Sequence, residues 1–77
     1  MVRYEIKKEI IHNDVLGRYV SYGLYARDDS GNKVMMCDIF QNKEEAEKYI
    51  SLFNDEQLEI VHLEQVIEDY LRYGSIV

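Results

Sequence analysis

The chain has 77 residues, 47% of them hydrophobic and 31% charged, with a formal net charge of −6. This length and composition fit one folded domain with a thin core, and they exclude an intrinsically disordered chain or two separate domains. The single cysteine, Cys37, excludes an intramolecular disulfide, and no apolar run approaches the roughly 20 residues that a membrane-spanning helix needs.

The first 40 residues predict a three-stranded antiparallel meander. In the first segment, apolar side chains alternate with charged ones, which is typical of a strand with one buried face. Runs of Asn, Asp and Gly, which suit tight turns, divide this half of the chain. Strands are expected at residues 2–12, 18–27 and 33–40, with turns at 13–17 and 28–32.

From Asn42 onward the hydrophobic period becomes helical. Asn42 stands three residues before Glu45, a variant of the capping-box pattern, and predicts a helix over residues 43–54. A second amphipathic segment predicts a helix over 63–73. Its apolar stripe consists of Leu63, Val66, Ile67, Tyr70 and Leu71. The residues expected to form the helical side of the core are Ala46, Tyr49, Ile50, Phe53, Leu63, Val66, Ile67 and Leu71.

The bounds of the second helix are less sharply marked. Gly74 is placed to end it, because glycine is the commonest residue in the left-handed conformation that follows a helix. His62 falls at its N-cap, although histidine is not a strong capping residue. Residues 58–61 fit either an extended connector or a short fourth strand.

These elements predict an α+β fold of order β-β-β-α-α over residues 1–77, with both helices on one face of the sheet. The strands nevertheless carry apolar side chains on both faces, whereas a sheet with one solvated face usually alternates cleanly. In the second strand, one face carries Val20, Tyr22, Leu24 and Ala26, and the other carries Tyr19, Ser21, Gly23 and Tyr25. In the third strand, one face carries Val34, Met36 and Phe40, and the other carries Met35, Cys37 and Ile39.

The segment 62–71, His-Leu-Glu-Gln-Val-Ile-Glu-Asp-Tyr-Leu, resembles the C-terminal signature of a family of small proteins from clostridia and related Gram-positive bacteria. Tyr22-Gly23, Asp38-Ile39 and the helix start at 42–45 are similar to that family as well. A proline associated with the connector before the histidine is replaced here by residues 59–60. The family is a domain of unknown function, so the resemblance implies a bacterial, cytoplasmic protein and no particular activity.

Candidate catalytic and metal-binding residues are few. His12, Cys37 and His62 are the strongest ligand types, but no two of them have the close spacing of a structural zinc site, so we expect no metal and no cofactor. Cys37 is expected to be a buried apolar side chain, with a nucleophile beside His62 or His12 as the alternative. Glu64, Glu68 and Asp69 fit a solvated helix face better than a carboxylate site.

Two classes of function remain. The leading hypothesis is a non-catalytic protein–protein interaction module, acting as a homodimer, an adaptor or an acidic inhibitor that resembles anti-CRISPR proteins in size and charge. The whole net charge lies in residues 41–77, which argues against direct nucleic-acid binding. The alternative is a small enzyme or ligand-binding module centred on Cys37 and His62. The predicted partner-binding residues are Tyr19, Tyr22, Tyr25, Met36, Glu64, Glu68 and Asp69.

Overall fold

The computed structural model describes residues 1–74 as a three-stranded antiparallel sheet followed by two helices, which confirms the predicted β-β-β-α-α order. The strands lie side by side in the order β1-β2-β3. Their bounds are Val2–Asn13 for β1, Gly17–Asp28 for β2 and Lys33–Phe40 for β3. The first turn is closed by Asn13, whose side-chain oxygen accepts hydrogen bonds from the backbone N–H groups of Val15 and Leu16 at 2.8 and 2.9 Å.

Helix α1 (Lys43–Asp55) begins at the predicted cap. The side-chain oxygen of Asn42 accepts hydrogen bonds from the backbone N–H groups of Glu44 and Glu45, at 2.8 and 3.2 Å. The reciprocal half of the capping box does not form, because the Glu45 carboxylate instead accepts a 2.6 Å hydrogen bond from the hydroxyl of Tyr70. That bond ties the start of α1 to the end of α2.

Helix α2 (Ile60–Tyr73) begins earlier than the sequence pattern indicated. Residues 60 and 61 belong to its first turn, so the short fourth strand considered at 58–61 does not form. Glu59 occupies the N-cap without a side-chain capping bond, and His62 lies inside the first turn. Gly74 ends the helix as predicted, with φ of 78° and its N–H bonded to the carbonyl of Tyr70.

The core lies between the two helices and one half of the sheet. Its buried members are Tyr4, Leu24, Ala26, Ile39, Phe40, Ala46, Tyr49, Ile50, Phe53, Leu63, Ile67 and Tyr70. The prediction that Leu71 belongs to this core is wrong, because its side chain is 62% exposed, and Val66 is only half-buried. Tyr70 fills the space instead, with its ring centroid 5.1 Å from Phe40 and 5.2 Å from Tyr49.

The strands β1 and β2 extend well past the other elements. The last residue of β3, Phe40, pairs with Tyr22, which pairs in turn with Lys8. Beyond that row, residues 9–21 form a two-stranded ribbon without a third strand, here called the arm. The molecule is 40 Å long as a result.

Candidate protein-interaction surface

β3 departs from regular pairing where the arm begins. Leu24 pairs with Met36 and Tyr22 pairs with Phe40, so the single residue Gly23 lies opposite residues 37–39. Within this bulge Asp38 has a φ of 55°, in the left-handed region. A Cβ atom on Gly23 would lie 2.0 Å from the carbonyl oxygen of Met36, so only glycine permits this close approach.

The bulge changes the alternation that the sequence pattern indicated. Ile39 and Phe40, which strict alternation places on opposite faces, are both buried in the core. The bulge leaves Cys37 on the outer face of the sheet, away from the helices, where no layer covers the thiol. The prediction that Cys37 is buried is therefore wrong.

A group of polar side chains surrounds the bulge on the outer face of the sheet. We call Lys7, Glu9, Ser21, Cys37 and Asp38 the outer polar cluster. The Lys7 ammonium forms an ion pair with Glu9 and lies 3.4 Å from the sulfur of Cys37. The second carboxylate oxygen of Glu9 accepts a 2.9 Å hydrogen bond from the backbone N–H of Asp38.

The other half of the cluster is organised by the Asp38 carboxylate. It accepts hydrogen bonds from the hydroxyl of the fully buried Ser21 and from that of Tyr19, the latter at 3.2 Å. The Ser21 oxygen also lies 3.2 Å from the carbonyl oxygen of Phe40. Polar groups in this cluster satisfy one another, and the network holds the bulge in place.

The electrostatics of the cluster follow from these contacts. The hydrogen bond from Lys7 lowers the pKa of the Glu9 carboxyl, and the same contact raises the pKa of Lys7. Partial burial, followed by the hydrogen bond to Asp38, raises the pKa of Tyr19. Each shift favours the form that takes part in the network, which is the protonated ammonium of Lys7, the ionised carboxylate of Glu9 and the neutral hydroxyl of Tyr19.

The pairing of Cys37 with His62, considered as the alternative to a buried cysteine, does not form. Cys37 lies on the outer face of the sheet, whereas α2, which carries His62, packs on the opposite face. His62 is exposed, and its ring nitrogen lies 3.9 Å from the carboxylate of Glu59. Among residues 1–74 no group of three or more His, Cys, Asp and Glu side chains is placed to hold a metal ion.

The seven predicted partner-binding residues lie in three separate places. Tyr19 and Tyr25 are on the outer face, while Tyr22 and Met36 are half-buried against the core on the helix side. The acidic group lies on α2 and makes local contacts within that helix. Glu68 bonds Arg72 at 3.1 Å, Asp69 accepts a 3.1 Å hydrogen bond from Gln65, and Glu64 is exposed.

Away from the arm, the outer face has only a small apolar area within the described residues. Tyr25 and Met35 are exposed at 44% and 57%, and they border a shallow groove of about 420 Å³. The rest of the rim is charged, with Glu5 in an exposed ion pair with Arg3. Tyr25 and Met35 are cross-strand partners, and a single exposed apolar pair with charged neighbours is ordinary on a protein surface.

Within residues 1–74, the arm carries two pairs of exposed apolar side chains. Ile10 and Val20 are cross-strand partners on the helix side of the sheet, but they lie past the helices and are 53% and 43% exposed. At the tip of the arm Val15 and Leu16 are 90% and 73% exposed. Sequence analysis missed this feature, although the first two predicted strands were longer than the third.

The edge of β1 is closed over one half by two side-chain amides. Asn54 accepts a hydrogen bond from the N–H of Tyr4 at 2.8 Å and donates one to its carbonyl at 3.0 Å. Gln57 makes the same pair of bonds with Val2, both at 3.0 Å. The two amides thus bond as a neighbouring strand would. We call them the amide cap.

The other half of this edge is open. The pairing of β1 with β2 is unbroken, so every second residue after Tyr4 also directs its backbone groups away from β2. These residues are Ile6, Lys8, Ile10 and His12. In the part of the chain that the structure describes, no loop or side chain forms a hydrogen bond with those backbone groups.

No family model, curated protein or solved structure matches this chain. The resemblance to the clostridial family stays a prediction, and the surface is interpreted from its own geometry. Of the two helices described within residues 1–74, neither is long and apolar enough to cross a membrane.

Proposed function

We propose that the protein is a non-catalytic protein–protein interaction module that binds its partner through the arm. The observation that carries this proposal is that the arm exposes two pairs of apolar side chains beside an open strand edge: Ile10 with Val20 and, beyond the exposed polar pair of His12 and Arg18, Val15 with Leu16 at the tip. Exposed apolar pairs on one element suit a contact surface, and an open edge offers backbone hydrogen bonds to an added strand.

The arm is better supported as a binding surface than the outer face of the sheet or the acidic face of α2. On the outer face the charged groups near the bulge are paired within the chain, and the exposed apolar area is small. An acidic inhibitor would present α2 to a basic partner, but Glu68 there is paired with Arg72. An enzyme centred on Cys37 and His62 would need those side chains together, whereas they lie on opposite faces of the sheet.

We place this module in the cytoplasm. Cys37 is a free and exposed thiol, which suits a reducing compartment, where disulfides are rare. Its neighbours Lys7 and Glu9 fit a role in holding the bulge. The partner contacts the apolar side chains of the arm and the open edge of β1, and Cys37 takes no part in binding.

The test compares two variants with equally exposed substitutions. The double variant Val15→Ser and Leu16→Ser removes the apolar tip of the arm, and the control Val61→Ser removes a side chain that is 77% exposed on α2. Both variants should melt as the wild type does, because none of the three side chains is buried. Affinity capture with the tagged chain then measures what each variant binds.

We expect a bound protein, which can be the chain itself, to be retained by the wild type and by Val61→Ser. The tip variant should retain it about tenfold less, equivalent to a loss of ~1.4 kcal/mol. Equal retention by all three proteins would contradict binding through the arm.

A further inference from the structure

We infer that the occupant of the arm is a second copy of this chain, joined by antiparallel pairing of the two β1 edges with Ile10 on the two-fold axis. This inference rests on the proposed function of the arm and specifies both its partner and its register.

The amide cap limits where a second strand can pair. Asn54 and Gln57 already bond the outward backbone groups of Tyr4 and Val2, so pairing begins at Ile6. At the other end the strand stops at Asn13, where the chain turns. The open edge therefore spans about eight residues, long enough for the three outward residues Lys8, Ile10 and His12 to pair with a second copy.

Only a few two-fold registers are consistent with this edge. A register centred on Lys8 would bring His12 against the capped Tyr4. One centred on Glu9 would place two carboxylates directly opposite each other, which is destabilising. A register centred on residue 11 would leave fewer residues to pair.

Centring the pair on Ile10 avoids these conflicts. Lys8 then pairs with His12 of the other copy, and Ile10 pairs with Ile10. Of the neighbouring pairs in this register, Glu9 lies opposite Ile11 and Lys7 opposite Asn13, so no like charges face each other. The edge is thus compatible with a second copy of itself, without the repulsion that a centre on Lys8 or Glu9 would bring.

The same register brings together two of the four apolar side chains that the arm exposes, Ile10 and Val20. Val20 neighbours Ile10 across β1 and β2, so the pairing produces a continuous apolar row of Val20 and Ile10 from each copy. Both are roughly half-exposed in the single chain. Pairing shields the facing sides of these side chains from water, so the apolar row and the new backbone bonds stabilise the dimer together. The small size of the interface predicts a micromolar dimer.

Disulfide trapping tests the register. In a Cys37→Ser background, Ile10→Cys places two thiols opposite each other across the axis, within the Cα separation that a disulfide requires. The control Lys8→Cys lies on the same face and is also exposed, but its two copies would be about 13 Å apart, four residues along the strand. With copper–phenanthroline as the oxidant, we expect a covalent dimer from Ile10→Cys and none from Lys8→Cys. The reverse result would overturn the register.

A proline on the edge tests the pairing itself. Lys8→Pro removes an outward N–H that the monomer does not use, and proline is tolerated on an edge strand. Sedimentation should show a concentration-dependent dimer for the wild type and a folded monomer for Lys8→Pro, with unchanged circular dichroism. A wild type that stays monomeric at high micromolar concentration would overturn the inference.

The two proposals fail in different ways. If the wild type is monomeric but the Val15→Ser, Leu16→Ser variant loses a captured protein, the second-copy inference is overturned and the arm remains the binding surface. If the tip variant and Lys8→Pro both bind as the wild type does, the proposed function is overturned as well.

Discussion

The covered half of the sheet and the arm are built from the same two strands with the same alternation. In the covered half, Tyr4 and Leu24 are buried beneath the helices, whereas in the arm Ile10 and Val20 face the same side of the sheet and are exposed. The difference lies in what packs above them. Alternation therefore specifies which face of a strand is apolar, while the length and direction of the helices decide how much of that face is buried.

The covered half and the arm also differ in how much they contribute to the stability of the molecule. The covered half has a third strand, two helices and a ring cluster of Phe40, Tyr49 and Tyr70. A two-stranded ribbon alone is only marginally stable in water. The arm is thus ordered mainly because its strands continue from the covered half.

The largest expected effect contrasts the two halves directly. Phe53 is buried in α1, with its ring centroid 5.4 Å from that of Tyr4. We expect Phe53→Ala to lower the free energy of unfolding by about 3–5 kcal/mol, enough to unfold a domain of this size. Ile10→Ala in the arm should change it by less than about 1 kcal/mol in the monomer. Denaturant unfolding at low protein concentration measures the free energy of unfolding of both variants. Similar losses for the two would contradict the difference in stability between the covered half and the arm.

The border between the halves is set by the bulge opposite Gly23. Gly23→Ala forces the backbone at Met36 to move, since the added Cβ cannot remain 2.0 Å from its carbonyl oxygen. Overpacking of this kind costs about 1–3 kcal/mol. Hydrogen exchange should show the loss of protection first at residues 36–40. A variant as stable and as protected as the wild type would show that the bulge does not depend on glycine.

The start of α1 gives a smaller and more local effect. Asn42→Ala removes the acceptor for the N–H groups of Glu44 and Glu45, and should lower the free energy of unfolding by about 1 kcal/mol. Asn42→Ser keeps a capping oxygen and should be close to neutral. Thermal melts of the two variants provide the comparison, and equal losses would indicate that the amide acts in another way.

The covered half should also determine the response to alkaline pH. Burial raises the pKa of Tyr4 to about 12, above the value of 10.0 for a solvated tyrosine. The unfolded chain loses this proton first, so the stabilisation is complete below pH 10 and is lost as the pH rises toward 12. Tyr70, whose pKa is also raised by burial and by Glu45, adds to the same trend.

Unfolding curves across this pH range test the assignment. Tyr4→Phe should be less stable at neutral pH, because the hydroxyl donates a 2.6 Å hydrogen bond to the carbonyl of Leu58, but its stability should fall less steeply above pH 10. An unchanged slope for Tyr4→Phe would contradict the burial effect.

Local chemistry explains which parts of the fold could be predicted from the sequence. Alternation marked the strands, Asn42 marked the start of α1, and Gly74 marked the end of α2, because each signal depends on neighbours a few residues away. The amide cap could not be predicted in this way. Asn54 bonds Tyr4 across 50 residues, and Gln57 bonds Val2 across 55.

The candidate surface was predicted only in part. Alternation placed Tyr19 and Tyr25 together on one face of β2, and the structure shows that the helices cover the other face. The exposed arm could not be predicted in this way, because it depends on where β3 ends. Two signals for that point were present in the sequence. Gly23 interrupts a strand, and the adjacent apolar pair Ile39-Phe40 breaks the alternation after Asp38.

The amide cap has a consequence for aggregation. An open twelve-residue edge would be a template for unlimited strand addition, the route by which sheets grow into fibrils, and many proteins obstruct such edges with proline, lysine or bulges. This chain has no proline, and Asn54 and Gln57 obstruct the β1 edge from the side instead. With the backbone groups of Val2 and Tyr4 occupied, only the stretch from residue 6 to residue 13 can act as a template, which lowers the tendency of this edge to seed fibrils.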